Sequence, residues 1–435
     1  MMGGCTDFSD GRVAVSRVHD YDVDRICAVI RQHFALLGIS PASFRGKTAA
    51  VKPNIVSDKG PDGATTTHPA IVQAAVRVLR ESGADVIIAE SSSGPYTEQH
   101  LREIYRSAQF YDAAIAEGAS FNFDLSEVSV PAPDAHVCRR FSLIRPLMDA
   151  DLIVNLCKLK THSLTKMTCA VKNFYGAIPG LQKMELHARY AQAELFSEML
   201  VDLCEVICQN KPVITICDAV MAMEGEGPGT GDPRWLYAVL TSCNPFALDL
   251  AAAELVGYGD TVLTIPPAKE RRLCPESFGG LEILGRAADR AGYFNETGSD
   301  AAACGGGGAA ADGPFDAAAC GDDGAAAAGV SDAAACGAAV FEALRVDNFV
   351  APQSQGVTKW LKYVPDFMKP HPVIARDVCV GCGICARSCP RETIRIENGK
   401  AHITAKNCIR CFCCQELCPQ KAVRVKKSVI FKLMH

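Results

Sequence analysis

Cys379-Val-Gly-Cys382-Gly-Ile-Cys385-Ala-Arg-Ser-Cys389-Pro390 is followed by Cys408-Ile-Arg-Cys411-Phe-Cys-Cys414-Gln-Glu-Leu-Cys418-Pro419. Both runs read C-x2-C-x2-C-x3-C-P. Two-residue spacers let three thiolates curl around one corner of a cuboidal [4Fe-4S] cluster, while the fourth, set off by three residues and followed by Pro, points to the other cluster. The spacing therefore assigns Cys379, Cys382, Cys385 and Cys418 to a first cluster, and Cys408, Cys411, Cys414 and Cys389 to a second. Two zinc ribbons are the competing reading, since zinc also takes four thiolates from paired C-x2-C hooks. Zinc needs neither a third Cys two residues on nor the repeated Cys-Pro. Cys413 is left over, a bystander between two ligands.

Around these runs the sequence predicts a small α+β di-cluster domain of ferredoxin type over residues 373–427. Asn398-Gly399 between two short apolar runs is a type I′ hairpin signal. From Lys406 to His435 there are seven Lys or Arg and one Glu. Such a tail eases reduction of a negatively charged cluster, or docks an acidic redox partner protein.

The chain has 435 residues and 22 Cys, enough for two or three domains. The remaining cysteines are scattered through apolar segments. Cys27, Cys157, Cys169, Cys204, Cys208, Cys217 and Cys243 read as small buried hydrophobes, not as a secreted disulfide framework. Free thiols beside low-potential clusters suit the reducing cytoplasm of an anaerobe. No apolar run is long enough to span a membrane, and residues 1–12 lack an apolar signal core. A net charge of −5 gives no case for nucleic-acid binding.

Residues 12–298 read as an α/β region with a mainly parallel sheet, in one domain or two lobes. Strands are expected over 12–18, 48–51, 85–89, 152–156 and 213–217. Helices are expected over 21–37, 65–82, 191–208 and 245–256, the second opening on Thr67-His68-Pro69 with Pro near the first helical position. Asp218 to Asp232 reads as a Gly-rich loop. From Ser299 to Val340 the composition collapses to Ala, Gly, Asp and Cys, and Asp-Ala-Ala-Ala-Cys-Gly occurs three times, from Asp300, Asp316 and Asp332. Such a stretch buries little apolar surface and is expected to be a disordered insertion. Residues 346–372 read as a linker with an amphipathic piece over 360–367.

Ligands of parallel sheets sit at the carboxyl ends of strands. Lys52, Asn54, Glu90, Lys158, Lys160, His162 and Asp218 all follow predicted strands. Lys52, Asn54 and the helix N-terminus at His68 are able to hold an anion together. Lys160, His162, Lys172, Lys183 and His187 form a second constellation, capable of phosphate binding, proton transfer or covalent attachment. The competing reading of both is charged loops around satisfied histidines.

Lys52-Pro53-Asn54, Thr67-His68-Pro69, Lys160-Thr161-His162, Lys172-Asn173 with Gly176, and Met223-Glu224-Gly225 with Gly227-Pro228 resemble the domain of unknown function 362 family. Its members are commonly described as iron–sulfur cluster-binding proteins, and many carry a ferredoxin module at one end. The resemblance covers about residues 12–260 and the C-terminal module. Asn244 stands where the family's Asp-Pro element has Asp. The family has no agreed reaction, so the resemblance implies a class and not a substrate. A fainter similarity is to the lactate racemase type of enzyme, where a His, a Lys ten residues on and a further His hold a nickel-pincer nucleotide. Here His162, Lys172 and His187 are so placed, with His68 a fourth contributor, but Ala170-Val171 replaces the expected Gly-Gly-Arg.

Together these readings give an iron–sulfur redox protein, with electrons passing through two [4Fe-4S] clusters to or from an α/β domain that binds a small molecule. Lys172, His162 and Lys160 are its candidate catalytic groups. Lys52, Asn54, His68 and His187 are its candidate cofactor-binding groups, for a further nucleotide or metal. The alternatives are an electron-carrier or docking module without its own catalysis, and a metal–nucleotide isomerase.

Overall fold

The computed structural model describes residues 6–56, 60–91, 94–285, 330–352 and 371–426. One nine-stranded mixed sheet organises the N-terminal region. Its strands are β1 (Arg12–Arg17), β2 (Thr48–Pro53), β3 (Asp85–Ile88), β4 (Ser120–Phe121), β7 (Leu152–His162), β8 (Lys166–Thr168), β9 (Val213–Glu224), β10 (Asp232–Ser242) and β11 (Glu282–Leu284). A separate hairpin pairs β5 (Glu127–Pro131) with β6 (Arg140–Ile144). Along the sheet the order is β11-β1-β10-β9-β7-β2-β3-β4, with β8 folded back on β7. The centre, β9-β7-β2-β3-β4, is parallel, and β10 joins it antiparallel to β9.

Helices cover both faces, as parallel strands buried on two sides require. Val23–Leu36 and Pro69–Glu81 pack on one face through Ile30, Phe34, Ile71 and Val76. Ala193–Asn210 and Pro245–Leu255 pack on the other through Leu200, Leu203, Phe246 and Leu250. Helix Pro69–Glu81 starts as its sequence predicts: Pro69 is at the first turn and His68 Nδ1 accepts from Ala70 N. Asn244, the departure from the family pattern, caps the last of these helices. Its Oδ1 accepts from Phe246 N and Ala247 N, and its Nδ2 reaches Phe8 O, Asp10 O and Leu273 O.

Three expectations are corrected. The central strands run further than their apolar cores suggest: β7 continues through Lys158 and Lys160 to His162, buried along its length. β9 runs to Glu224, so the expected loop over 218–232 is confined to the turn after that strand. The third Asp-Ala-Ala-Ala-Cys-Gly copy lies in a helix, Val330–Leu344, packed on β11 and β1, and is not disordered. Gly337 makes this contact possible, because a Cβ there would run into the backbone of Ile283 and Leu284. The first two copies and the amphipathic piece at 360–367 lie outside the described residues. The start of the expected linker packs on the sheet domain: Phe349 is buried, and Val350 N donates to Glu224 Oε2 over 3.0 Å.

The C-terminal module pairs β12 (His371–Ile374) with β15 (Val423–Lys426), and β13 (Ile394–Glu397) with β14 (Lys400–Ile403). Asn398 and Gly399 hold positive φ at the hairpin turn, as expected of a type I′ turn. The two cysteine runs share one backbone path. Gly381 and Gly383 are left-handed in the first, and Arg410 and Phe412 take their places in the second.

Candidate functional site

The cysteines divide into two cavities. Cys379, Cys382, Cys385 and Cys418 line one, and Cys389, Cys408, Cys411, Cys413 and Cys414 line the other. Each cavity takes one cysteine from the opposite run, Cys418 in the first and Cys389 in the second, and Cys413 joins the second beside Cys411 and Cys414. Backbone amides already point at the sulfurs. Ala401 N donates to Cys379 Sγ over 3.4 Å, Ala422 N to Cys418 Sγ over 3.2 Å, and Thr393 N to Cys389 Sγ over 3.4 Å. Four-thiolate cavities with N–H···S donors are what a [4Fe-4S] cluster requires, so the residues fit the group.

The second cavity lies against the α/β domain. Cys411, Cys413 and Leu417 share an apolar cluster with Met184. Gln415 bonds Ser163 Oγ at 3.3 Å and Thr230 Oγ1 at 3.1 Å. Glu416 Oε1 stands 2.9 Å from His162 Nε2. His162 Nδ1 accepts from Leu164 N and Thr165 N, so the proton sits on Nε2, which faces Glu416 Oε1 in a close contact that falls short of hydrogen-bond geometry. Burial, reinforced by the Lys172 ammonium, brings His162 down to about 4. Burial opposes the charge on Glu416, but His162, Lys172 and His187 outweigh it and hold the carboxylate at about 2.

Beside this contact a cleft opens at the carboxyl edge of the sheet. It is lined by Lys52, Asn54, Glu90, Ser91, Lys160, Lys172, Asn173, Tyr175, Gly176, Lys183, His187 and Glu416, among others. Lys52 Nζ pairs with Glu90 Oε2 at 2.7 Å, both side chains buried. Gly176 covers this pair closely enough that a Cβ would meet both charged groups. Lys160 Nζ donates to Asn54 Oδ1 and to Thr65 O, each over 2.7 Å. Asn54 passes the chain inward to Asn173, and Asn173 to Asn155. Lys183 Nζ donates to Ser91 O and Ile178 O, and burial lowers it to about 7 despite the nearby Glu90 carboxylate.

Two cleft groups lack a counterpart. Lys172 Nζ lies over the Tyr175 ring, 5.6 Å from its centroid, and has no hydrogen-bond acceptor among the described residues. His187, stacked on Phe196, has a buried Nδ1 with no partner among them. Its burial pushes it down to about 3.

Most of the candidates therefore converge: Lys52, Asn54, Lys160, Lys172 and His187 share the cleft, and His162 adjoins it through Glu416. His68 does not. It stacks on Tyr21 with centroids 3.5 Å apart, and its backbone N donates to Asp218 Oδ2. The helix N-terminus expected to hold an anion with Lys52 is thus occupied by Asp218, while Lys52 is paired with Glu90. His162 Nδ1 is taken up by two backbone N–H groups and the proton sits on Nε2, which leaves that ring no free lone pair for a metal. Glu416 escaped the sequence reading entirely. It lies between Cys414 and Cys418, and nothing in that run signals a partner more than two hundred residues away.

Residues 49–254 match the family described as domain of unknown function DUF362, and residues 371–419 match the 4Fe-4S dicluster domain. The chain joins a DUF362 domain to a 4Fe-4S dicluster domain. It is 28% identical over 274 residues to a thylakoid-associated protein of Synechocystis, across 60% of this chain and 78% of that one. Among solved structures, the lactate racemase apoprotein of Thermoanaerobacterium thermosaccharolyticum superposes with a TM-score of 0.35 at 12% identity. That match covers 59% of this chain and 58% of the racemase, a likeness too slight to bear on mechanism. No helix among the described residues is long and apolar enough to cross a membrane.

Proposed function

We propose that this chain is an iron–sulfur redox protein that exchanges electrons between two [4Fe-4S] clusters and a small anionic ligand held in the cleft at the edge of the DUF362 sheet. The supporting observation is the 2.9 Å contact of Glu416, within the second cysteine run, with His162 at the end of β7. It sets the second cavity beside the cleft. When bound, the clusters supply one-electron transfer at low potential. The chain supplies the rest. Lys52, Lys160 and Lys172 give the cleft a positive field, Lys172 Nζ and His187 Nδ1 remain to meet a ligand, and the Met184–Leu417 contact keeps water from the junction. A reducing compartment, such as an anaerobe's cytoplasm, fits so many unpaired thiols.

Anaerobic reconstitution tests this reading. The full chain is expected to bind about eight irons and eight sulfides and to give an EPR signal of two interacting reduced clusters. Zinc in place of iron would end it. Lys172→Ala is expected to retain the iron and the EPR signal while losing ligand-dependent reoxidation of the reduced clusters.

A further inference from the structure

Below the cleft, inside the sheet domain, three cysteines that the redox reading does not use meet in space. Cys157 on β7 and Cys217 on β9 are register partners on adjacent parallel strands. Cys169, just after β8, comes down between them. Its Sγ is 3.7 Å from Cys157 Sγ and 3.5 Å from Cys217 Sγ, and all three sulfurs lie within 4.8 Å of one another, fully buried. Asp249, on helix Pro245–Leu255, is buried beside Cys169, where its Oδ1 accepts from Ala170 N at 2.6 Å and its Oδ2 from Val171 N at 3.3 Å.

We infer that Cys157, Cys169 and Cys217 bind one zinc ion through their three thiolates. Thiolates around tetrahedral zinc, with Zn–S of about 2.3 Å, stand about 3.8 Å apart. Two of the three sulfur–sulfur distances already lie near that value. Soft thiolates favour zinc over the hard cations that a carboxylate alone would select. Loading releases the three thiol protons, and the buried ammonium of Lys158 lies near enough to interact with Cys217. Mechanically, the ion would fasten Cys169 to the two central strands. Cys169 is the N-cap of the short helix Ala170–Asn173, so the zinc would fix the segment that carries Lys172 and Asn173 into the cleft.

The test is metal analysis of the full chain, purified anaerobically from zinc-supplemented medium, with iron counted in the same sample. The expected result is one zinc per chain beside the full iron content. The double variant Cys157→Ser, Cys217→Ser should lose the zinc and keep the iron, and hydrogen exchange over residues 166–176 should quicken. Cys204→Ser, at a buried cysteine elsewhere in the core, should change neither. Should the double variant not fold, cadmium titration of the wild-type chain decides: it should add one equivalent with a thiolate-to-metal absorption band. Absence of zinc together with absence of that band, zinc surviving in the double variant, or a Cys169–Cys217 disulfide in the isolated chain would each overturn the inference.

Discussion

Two buried polar groups built on lysine, one around Lys158 and one around the cleft lysines, occupy the same edge of one sheet, and they differ in one respect. On one side Lys158 Nζ meets Asp218 Oδ2 at 2.8 Å and Tyr21 OH at 3.1 Å. Tyr21 OH donates to Asp218 Oδ1 and accepts from Met221 N. His68 stacks on the Tyr21 ring, so each charged group is matched within the chain. On the other side the cleft holds Lys52, Lys160, Lys172 and Lys183, but Lys172 Nζ and His187 Nδ1 have no hydrogen-bond partner among the described residues. Residue type does not separate the two clusters. What separates them is polar groups left over, because a buried group without a partner costs about 1–3 kcal/mol and is retained where something else comes to meet it. The first cluster is scaffold; the second is site.

The sharpest way to break this contrast is to remove one lysine from each cluster. Lys158→Met strands the buried Asp218 carboxylate and should destabilise the fold by about 3–5 kcal/mol. Lys172→Met breaks no hydrogen bond among the described residues, gives up only the attraction to the Glu416 carboxylate, and should leave stability within about 1 kcal/mol. Denaturant melts of both variants under anaerobic conditions measure the difference. Equal losses would remove the distinction between scaffold and site.

A smaller effect concerns pH. In the native chain burial holds Lys183 down at about 7, against an unfolded value of 10.5. Between these values the unfolded chain binds more protons than the native one, so stability rises with pH. The rise should reach up to about 1.4 kcal/mol per pH unit between pH 7 and 10.5. This contribution is lost as pH falls through 7. Melts at pH 7.5, 8.5 and 9.5 should show that rise in the wild type and a flatter curve in Lys183→Met. A wild-type curve that is flat or falls would mean that Lys183 keeps its proton.

The smallest effect belongs to the junction. Glu416→Gln keeps the shape of the group that faces His162 Nε2 and removes its charge. It should cost about 0.5–1.5 kcal/mol with the iron count unchanged. A normal melt with slowed electron exchange at the cleft would assign Glu416 to the site; a loss of iron would assign it to the di-cluster module instead.

The cysteine division and the α/β alternation were legible because each rests on local periodicity. C-x2-C-x2-C-x3-C-P encodes a turn, and runs such as Leu152-Ile-Val-Asn-Leu156 encode a buried strand. The ends of β7 and β9 were not legible, since Lys158, Lys160 and Asp218 resemble loop residues until their partners Asn54, Tyr21 and each other are known. The helix at 330–344 was hidden by its Ala and Gly content, which serves close packing of Gly337 and not propensity. Glu416 and the Cys157–Cys169–Cys217 group were illegible for a third reason. Their partners are brought together only by strand order and by docking of the C-terminal module, neither of which leaves a local pattern.

The backbone bond from Gly285 N to Ala333 O, 3.0 Å long, has a genetic consequence. The described residues on either side of 286–329 meet at this bond. The last Asp-Ala-Ala-Ala-Cys-Gly copy places Gly337 against β11, where any side chain would strike the backbone of Ile283 and Leu284. Replication slippage that displaces Gly337 would therefore part helix Val330–Leu344 from β11, so selection would read the final repeat as architecture.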